Sequence, residues 1–461
     1  MDMHDTIAAI ASPAGTGGIG IVRVSGPAAG RILASIFLPL SPRFTGFKPW
    51  TLHRGRVLDA QGNVLDDALA VFMPGPRSFT GEDVAEIHCH GGMALLALLL
   101  ENILASGTRL AEAGEFSRRA FLNGRMDLTQ AEAVADLINA PGKEAVLLCA
   151  AKLDGLLGRR INALREKLDH VRMRLCVAVD FPEEDVECLS RSEFLQAVED
   201  ISQAVRELLA GYKRNRCWQE GALVVLAGRV NVGKSSLMNA LLGRERALVT
   251  ERAGTTRDFL EERVLLDGLP ARLVDTAGLR ESADEVERLG IAAGRRCVDE
   301  ADLILLVLDG QEGCTREDQA LLEALPPERV LQVWNKSDLA RPTASSPPDA
   351  AGQDGMVCVS ARTGEGLDDL AAQVRRKFVR QSGGDGKMRA DGISPNLRQA
   401  GALSRALDEL TVCARDVQNG QPYDICGLHL DMAGAALVEL TGLDGGDALL
   451  DRIFSTFCIG K

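Results

Sequence analysis

Apolar positions change their period several times along this chain. From Ala222 to Ala227 they run without interruption, the pattern of a strand buried on both faces. Similar short runs end at Asp275 in Arg272-Leu-Val-Asp275, at Trp334 after Val330, and at Val359 after Met356, so four buried strands are expected mid-chain. From about Leu122 to Arg216 the period lengthens: the stretch is nearly free of proline and rich in Ala, Leu, Glu and Arg at helical spacing. Pro141 and Pro182 are its expected breaks, and Ala145 to His170 is expected as one long amphipathic helix. Helical sequence returns after the Gly-rich Ser382 to Gly386, and the Pro- and Ser-rich Arg341 to Gly355 reads as a surface loop.

The first 120 residues have a third texture. "TIAAIASPAGTGGIGIVRVSGP" reads as strand, glycine turn, strand; Gly15 to Gly20 imitates a dinucleotide fingerprint but leads into the strand Ile19 to Val24, not into a helix. The pattern predicts a multidomain α/β chain: an α+β domain over 1–120, a helical domain split into 121–220 and 382–461, and an inserted α/β domain at 221–381.

Composition adjusts this picture only modestly. A length of 461 residues suits about three domains, and 46% hydrophobic with 25% charged residues is a globular profile. No run approaches the ~18 apolar residues of a membrane span, the nearest being Met93 to Leu100. Asp2, Asp5 and the lack of arginine before Arg23 do not fit a secretory or transit peptide, so the cytoplasm is expected. Eleven cysteines without a CxxC pair point to reduced thiols. A net charge of -13 argues against a general polyanion binder, so RNA would be met only by local basic patches such as Arg159, Arg160, Arg165 and Lys167.

The chemistry lies in the central stretch. Gly228-Arg-Val-Asn-Val-Gly233-Lys234-Ser235 follows the first buried strand and fits G-x4-G-K-[ST], in which backbone N–H groups cradle phosphates, the lysine reaches the terminal phosphates and the hydroxyl suits Mg²⁺. Asp275, at a strand's carboxyl end, suits a carboxylate beside that metal, and Gly278 can lend an N–H to a γ-phosphate. In Asn335-Lys336-Ser337-Asp338 the aspartate can accept two hydrogen bonds from a guanine edge, and Ser360-Ala361-Arg362 would back the base. In this order the four elements resemble the guanine-nucleotide-binding domain of translation-factor-related GTPases. The expected nucleotide contacts are Asn231, Val232, Gly233, Lys234, Ser235, Ser236, Thr250, Glu251, Arg252, Ala253, Gly254, Thr255, Thr256, Asp275, Thr276, Ala277, Gly278, Asn335, Lys336, Asp338, Ser360, Ala361 and Arg362.

Leu279 stands where Ras-like enzymes carry a water-orienting glutamine, leaving Glu281, Asp284, Glu285 and Glu287 as candidates for that task. No arginine finger is evident. Asn231 and Gly254-Thr255-Thr256 offer uncharged oxygens for a monovalent cation, K⁺ by preference, with Thr256 on Mg²⁺ and Thr255 and the Thr250 region helping to hold the ion.

Beyond these motifs, "FTGEDVAEIHCHGG", "GEFSRRAFLNGRMDLTQAEAVADLI", "DTAGLRESADEVERLGI" and the final "FCIGK" resemble, nearly end to end, the MnmE (TrmE) family of bacterial tRNA-modification GTPases. The resemblance implies a homodimer built on an amino-terminal domain that binds 5-formyltetrahydrofolate or a related folate. It implies a FAD-containing partner, MnmG, in a heterotetramer, and a tRNA whose wobble uridine receives a carboxymethylaminomethyl group at C5. By the same likeness Arg23, Glu82, Arg125 and Lys461 hold the folate, and Glu287 positions water. Asn231, Thr250, Arg252 (by its backbone) and Thr255 then take K⁺, while Ser235 and Thr256 take Mg²⁺.

Arg125 replaces the family's usual lysine, Val230 a common proline, and "DICGLHLDM" from Asp424 to Met432 follows the family's helical pattern poorly. A ribosome-assembly GTPase, a switch without RNA chemistry, is the competing reading. His88 and His90 share a strand face, but zinc needs three or four ligands and no companion cluster accompanies them. Cys458 stands fourth from the end, yet Gly460 and Lys461 do not make a prenylation signal, so its thiol is expected to serve the chemistry or to pack.

Overall fold

The computed structural model describes residues 5–180, 190–245, 261–275, 297–339, 355–381, 393–442 and 446–461. They form two compact units, one of Met1–Ile138, Ala151–Ala204 and Ala402–Lys461, the other of Asn139–Ala150 and Val205–Gly401.

The first unit contains a seven-stranded sheet of β1 (Ile7–Ile10), β2 (Gly17–Ser25), β3 (Phe37–Pro39), β4 (His53–Leu58), β5 (Val64–Met73), β6 (Val84–Gly91) and β7 (Arg109–Leu110), in the order β3-β4-β5-β6-β2-β1-β7. Strand alternation assigns its faces. Val22, Val24, Ala85, Ile87 and Cys89 pack with Ile32, Leu33, Leu96, Leu99 and Ile103 of the helices Ala29–Ile36 and Met93–Ala105. Their neighbours in sequence, Arg23 on β2 and Glu86 and His88 on β6, therefore point to the opposite face, where Ile7, Ala9, Ala111 and Phe116 form a small core of their own.

The helices between residues 122 and 216 follow the predicted period, with one correction. Ala145 to His170 is not one helix: Lys143–Leu153 and Leu156–Asp180 are separated at Gly155, whose φ of +73° belongs to the left-handed region. Pro141 does lie between two helices, Leu128–Ile138 and Lys143–Leu153, and Pro182 lies outside the described residues. The segment that follows the family pattern poorly is nonetheless helical, within Tyr423–Thr441, and that helix packs along Leu156–Asp180. Near the end of the chain Leu450, Ile453, Phe454 and Phe457 bury themselves against Leu128 and Ala131.

In the second unit β8 (Ala222–Ala227), β9 (Glu261–Leu266), β10 (Leu269–Asp275), β11 (Leu303–Asp309), β12 (Val330–Asn335) and β13 (Met356–Cys358) form a six-stranded sheet ordered β13-β12-β11-β8-β10-β9. All its pairings are parallel except that of β9 with β10. All six residues of β8 are buried because helices cover both faces. Leu237 and Leu241 of Lys234–Glu245 and Leu370 and Val374 of Leu367–Gln381 pack on one face. Leu321 and Leu322 of Arg316–Ala324 pack on the other. A doubly wound sheet of this kind gathers its loops at the carboxyl ends of the strands, where ligands bind. The four strands expected from the apolar runs are β8, β10, β12 and β13.

Candidate functional site: a phosphate loop and an amino-terminal pocket

The loop from Gly228 to Gly233 turns directly out of β8 into the helix Lys234–Glu245. Two positions need glycine. Gly228 has φ +140°, and a Cβ there would lie 2.4 Å from the Val307 carbonyl; at Gly233, φ +94°, a Cβ would lie 2.3 Å from Asn335 Nδ2. Lys234, almost fully buried, folds back so that its Nζ donates to the carbonyls of Gly228 (3.0 Å) and Arg229 (2.7 Å). Its ammonium is thereby held over the loop's concave side.

Neighbouring side chains brace this loop. Arg229 donates to Asp318 (2.9 Å), a buried carboxylate that also closes the capping box at Thr315. Lys336 Nζ donates to the Asn231 carbonyl (3.0 Å) and to Asp309 (2.6 Å). Burial would raise the Asp309 carboxyl, but Lys336 and the Gln311 N–H outweigh it and hold it below the usual carboxylate range.

The predicted base-binding residues also come together. Asn335, buried, donates from Nδ2 to the Val232 carbonyl (2.9 Å) and accepts at Oδ1 from the Ala361 N–H (3.0 Å), tying the phosphate loop to the turn after β13. Ser360 donates to Asp338 Oδ1 (2.7 Å) and fixes its plane, while Arg362 Nη1 stands 3.9 Å from Oδ2. Val232 contributes a carbonyl while its side chain is buried, and Ser236 is exposed on the helix.

For a divalent cation the test is the oxygen pair at the helix start. Ser235 Oγ donates to Asp275 Oδ2 at 2.6 Å, so a hydroxyl and a carboxylate converge beside Lys234, a hard-oxygen donor set that fits Mg²⁺. Of the residues assigned to K⁺ only Asn231, exposed and at φ +65°, is described. Thr250, Glu251, Arg252, Ala253, Gly254, Thr255, Thr256, Thr276, Ala277, Gly278 and Glu287 lie outside the described residues.

In the first unit Arg23 and Arg125 meet one loop, Ser78 to Glu82, which itself carries Glu82. Arg125 Nε donates to the Ser78 carbonyl (3.1 Å), and the Arg23 guanidinium lies 5.4 Å from the centre of the Phe79 ring. Glu82 accepts from Ser25 (2.7 Å) and from Arg119 (3.2 Å to each oxygen). Lys461 joins through its neighbour: Arg23 Nη1 donates to the Gly460 carbonyl at 3.3 Å. The segment carrying it is pinned by a bridge between Ile459 and Ala113 and by Gly460, whose φ of +94° brings its Cα against β1. Burial holds the Lys461 ammonium below the usual lysine range; the adjacent Arg23 adds to this and Glu86 works against it.

These residues fit an anionic, hydrogen-bonding ligand such as a folate: three cations, Arg23, Arg125 and Lys461, to pair with carboxylates, and the Glu82 carboxylate to accept from ring N–H groups. Cys458 is exposed, and its carbonyl accepts from the Lys461 N–H at 3.4 Å. The two histidines of "EIHCHGG" each meet a carboxylate, His88 with Glu86 at 3.1 Å and His90 with Asp66 at 2.8 Å.

Three participants escape a reading of motifs. Glu86 binds Arg23 (Nε to Oε1, 2.8 Å); Arg119, nearly inaccessible, joins Glu82, Glu115 and Asp5; Asp309 holds Lys336. For the first, alternation along β6 places Glu86 on one face with His88, but spacing does not reveal the arginine it meets, 63 residues away.

Two family models match the chain, that of the MnmE helical domain over residues 128–458 and that of the GTP-binding protein TrmE N-terminus over residues 6–125. Among similar proteins, a tRNA modification GTPase MnmE of Nitratidesulfovibrio vulgaris (strain DP4) is 56% identical over 463 residues, covering 100% of both chains. Those of Lawsonia intracellularis (strain PHE/MN1-00) and Carboxydothermus hydrogenoformans (strain ATCC BAA-161 / DSM 6008 / Z-2901) are 48% and 41% identical, again over 100% of both chains.

Proposed function

On the premise that this chain belongs to the MnmE (TrmE) family of tRNA modification GTPases, we propose how its two sites divide the work. The chain hydrolyses GTP in the service of tRNA modification. The observation that carries the nucleotide half is the set Lys234, Ser235, Asp275 and Asp338, brought to one end of a parallel sheet with Asp338 Oδ1 already fixed by Ser360. Asp338 accepts from the guanine N–H edge and Lys234 draws the terminal phosphates onto the loop. The positive end of the helix Lys234–Glu245 favours the charge that develops as water displaces GDP from the γ-phosphoryl group. Mg²⁺, when bound, neutralises phosphate charge; Ser235 is its ligand with Asp275 beside it, and family likeness adds Thr256. Asn231, Thr250, Arg252 and Thr255 hold K⁺ in place of an arginine finger, and Glu287 orients the water.

The amino-terminal pocket takes the one-carbon donor, a formyltetrahydrofolate, with Glu82 at the pterin and Arg23, Arg125 and Lys461 at the remaining polar groups. With a FAD-containing MnmG and as a homodimer, the protein builds the carboxymethylaminomethyl group at C5 of the wobble uridine. In domain terms 1–120 carries the folate, 121–220 with 382–461 the helical framework, and 221–381 the GTPase. The support for this finer reading is the convergence of Arg23, Glu82, Arg125 and the Gly460 carbonyl around Ser78 to Glu82. A ribosome-assembly switch has no use for such a pocket.

Mass spectrometry of tRNA nucleosides from a deletion strain tests the reading. Wobble uridines should lack the C5 group and regain it on complementation with this chain but not with its Lys234→Ala variant. Unmodified levels that never change would overturn it. GTP turnover equal in Na⁺ and K⁺ buffers would remove the potassium assignment alone.

A further inference from the structure

We propose that Glu86 is a positioning residue of the amino-terminal pocket, holding Arg23 so that the free edge of its guanidinium and the Lys461 ammonium face one anionic group of the ligand. This rests on reading that pocket as a folate site.

The pairing is built into the sheet. Arg23 on β2 and Glu86 on β6 stand directly opposite in the antiparallel register, both on the face away from the covering helices. Arg23 Nε donates to Glu86 Oε1 at 2.8 Å, and the side chains are 15% exposed on each partner. The other oxygen, Oε2, meets His88 Nε2 at 3.1 Å, from the next residue along the same face of β6. The carboxylate is therefore pinned on both sides and cannot rotate to cover more of the guanidinium.

The guanidinium itself has few freedoms left. It lies 5.4 Å from the centre of the Phe79 ring and 5.7 Å from that of Phe116. With Nε on Glu86 and Nη1 on the Gly460 carbonyl, Nη2 is the nitrogen that has no partner among the described residues. Lys461, half-buried beside it, likewise forms no ion pair among the described residues. Two neighbouring cations repel, and burial sharpens the repulsion. Glu86 holds the guanidinium from its Nε side by a hydrogen bond and leaves Nη2 without a partner among the described residues. The arrangement suits a planar carboxylate, such as that of a folate's glutamate tail, which accepts from Nη2 and from the ammonium together.

Without Glu86 the pocket would retain both cations but lose their alignment, since the released arginine side chain regains its rotamer freedom. Glutamine keeps an acceptor oxygen for Nε and removes only the charge. The test is calorimetric titration of full-length protein with 5-formyltetrahydrofolate, using wild type, Arg23→Ala, Glu86→Gln, Glu86→Asp and Glu86→Ala, with GTP turnover measured on the same samples. Glu86→Ala should bind at least about tenfold more weakly, and Glu86→Asp, which withdraws the carboxylate, should also bind more weakly. Glu86→Gln should stay within about threefold of wild type, Arg23→Ala should bind at least about tenfold more weakly, and GTP turnover should be the same in wild type and the three Glu86 variants. Wild-type affinity in both Glu86→Ala and Glu86→Asp would overturn the positioning role, as would a Glu86→Gln loss equal to that of Glu86→Ala. If Glu86→Ala does not fold, the Asp and Gln variants decide the matter. Absence of binding by wild type would instead overturn the folate reading itself.

Discussion

At the residue scale, Lys234, Ser235, Asp275 and Asp338 were legible because their motif places them within a few residues of strand ends, where local spacing determines geometry. If Asp338 accepts from guanine as proposed, Asp338→Asn replaces one of its acceptor oxygens with a donor, so GTP turnover at limiting substrate should fall roughly tenfold to a hundredfold. Xanthosine triphosphate, which presents a carbonyl there, should be hydrolysed better than by wild type; competitive assays of the two nucleotides check this. Glu86 and Arg119 were not legible, because their partners are distant in sequence: 63 residues separate Glu86 from Arg23 and 37 separate Arg119 from Glu82. Glu86 also has a measurable signature. Burial alone would raise its carboxyl, but the His88 hydrogen bond and the Arg23 charge prevail and bring it from 4.5 to about 2. A carboxyl lowered on folding stabilises the fold above its unfolded value, and that contribution is lost as pH falls from 4.5 toward 2. Urea midpoints should decline across that window, and less steeply in Glu86→Gln.

At the element scale, continuous apolar runs marked β8, β10, β12 and β13 but passed over β11, whose residues Leu303–Asp309 are all buried. A run such as Ala222 to Ala227 is of a length that suits a strand covered on both faces rather than a buried helix. The break at Gly155 was missed because the helical pattern continues on its far side from Leu156, and a single left-handed residue does not disturb a spacing count. Gly460 plays a comparable part at the pocket. Its φ of +94° and the 2.4 Å that would separate a Cβ from the Ile10 carbonyl leave no room for a side chain. Gly460→Ala should therefore displace Lys461, weaken folate binding in titration by about tenfold or more, and leave GTP turnover at the wild-type rate.

At the scale of the whole molecule, the two compact units each carry one of the two sites. Calorimetric unfolding should accordingly resolve two transitions, one raised by GTP analogues and the other by 5-formyltetrahydrofolate, each by about 2.7 kcal/mol at a hundredfold excess over Kd. A single transition raised by both ligands would show that the units unfold together. The sequence made the alternation of textures visible, but not that residues from 402 onward share a unit with the first 138, since that depends on which buried faces meet. The bond from Arg23 to Gly460 spans 437 residues. At about 5–20 residues per second, a ribosome delivers the second partner roughly 20–90 s after the first. For that interval the earliest strands must wait with Ala113 without its bridge partner and Arg23 short of its acceptor, so the pocket cannot mature before residues 459–461 have been made.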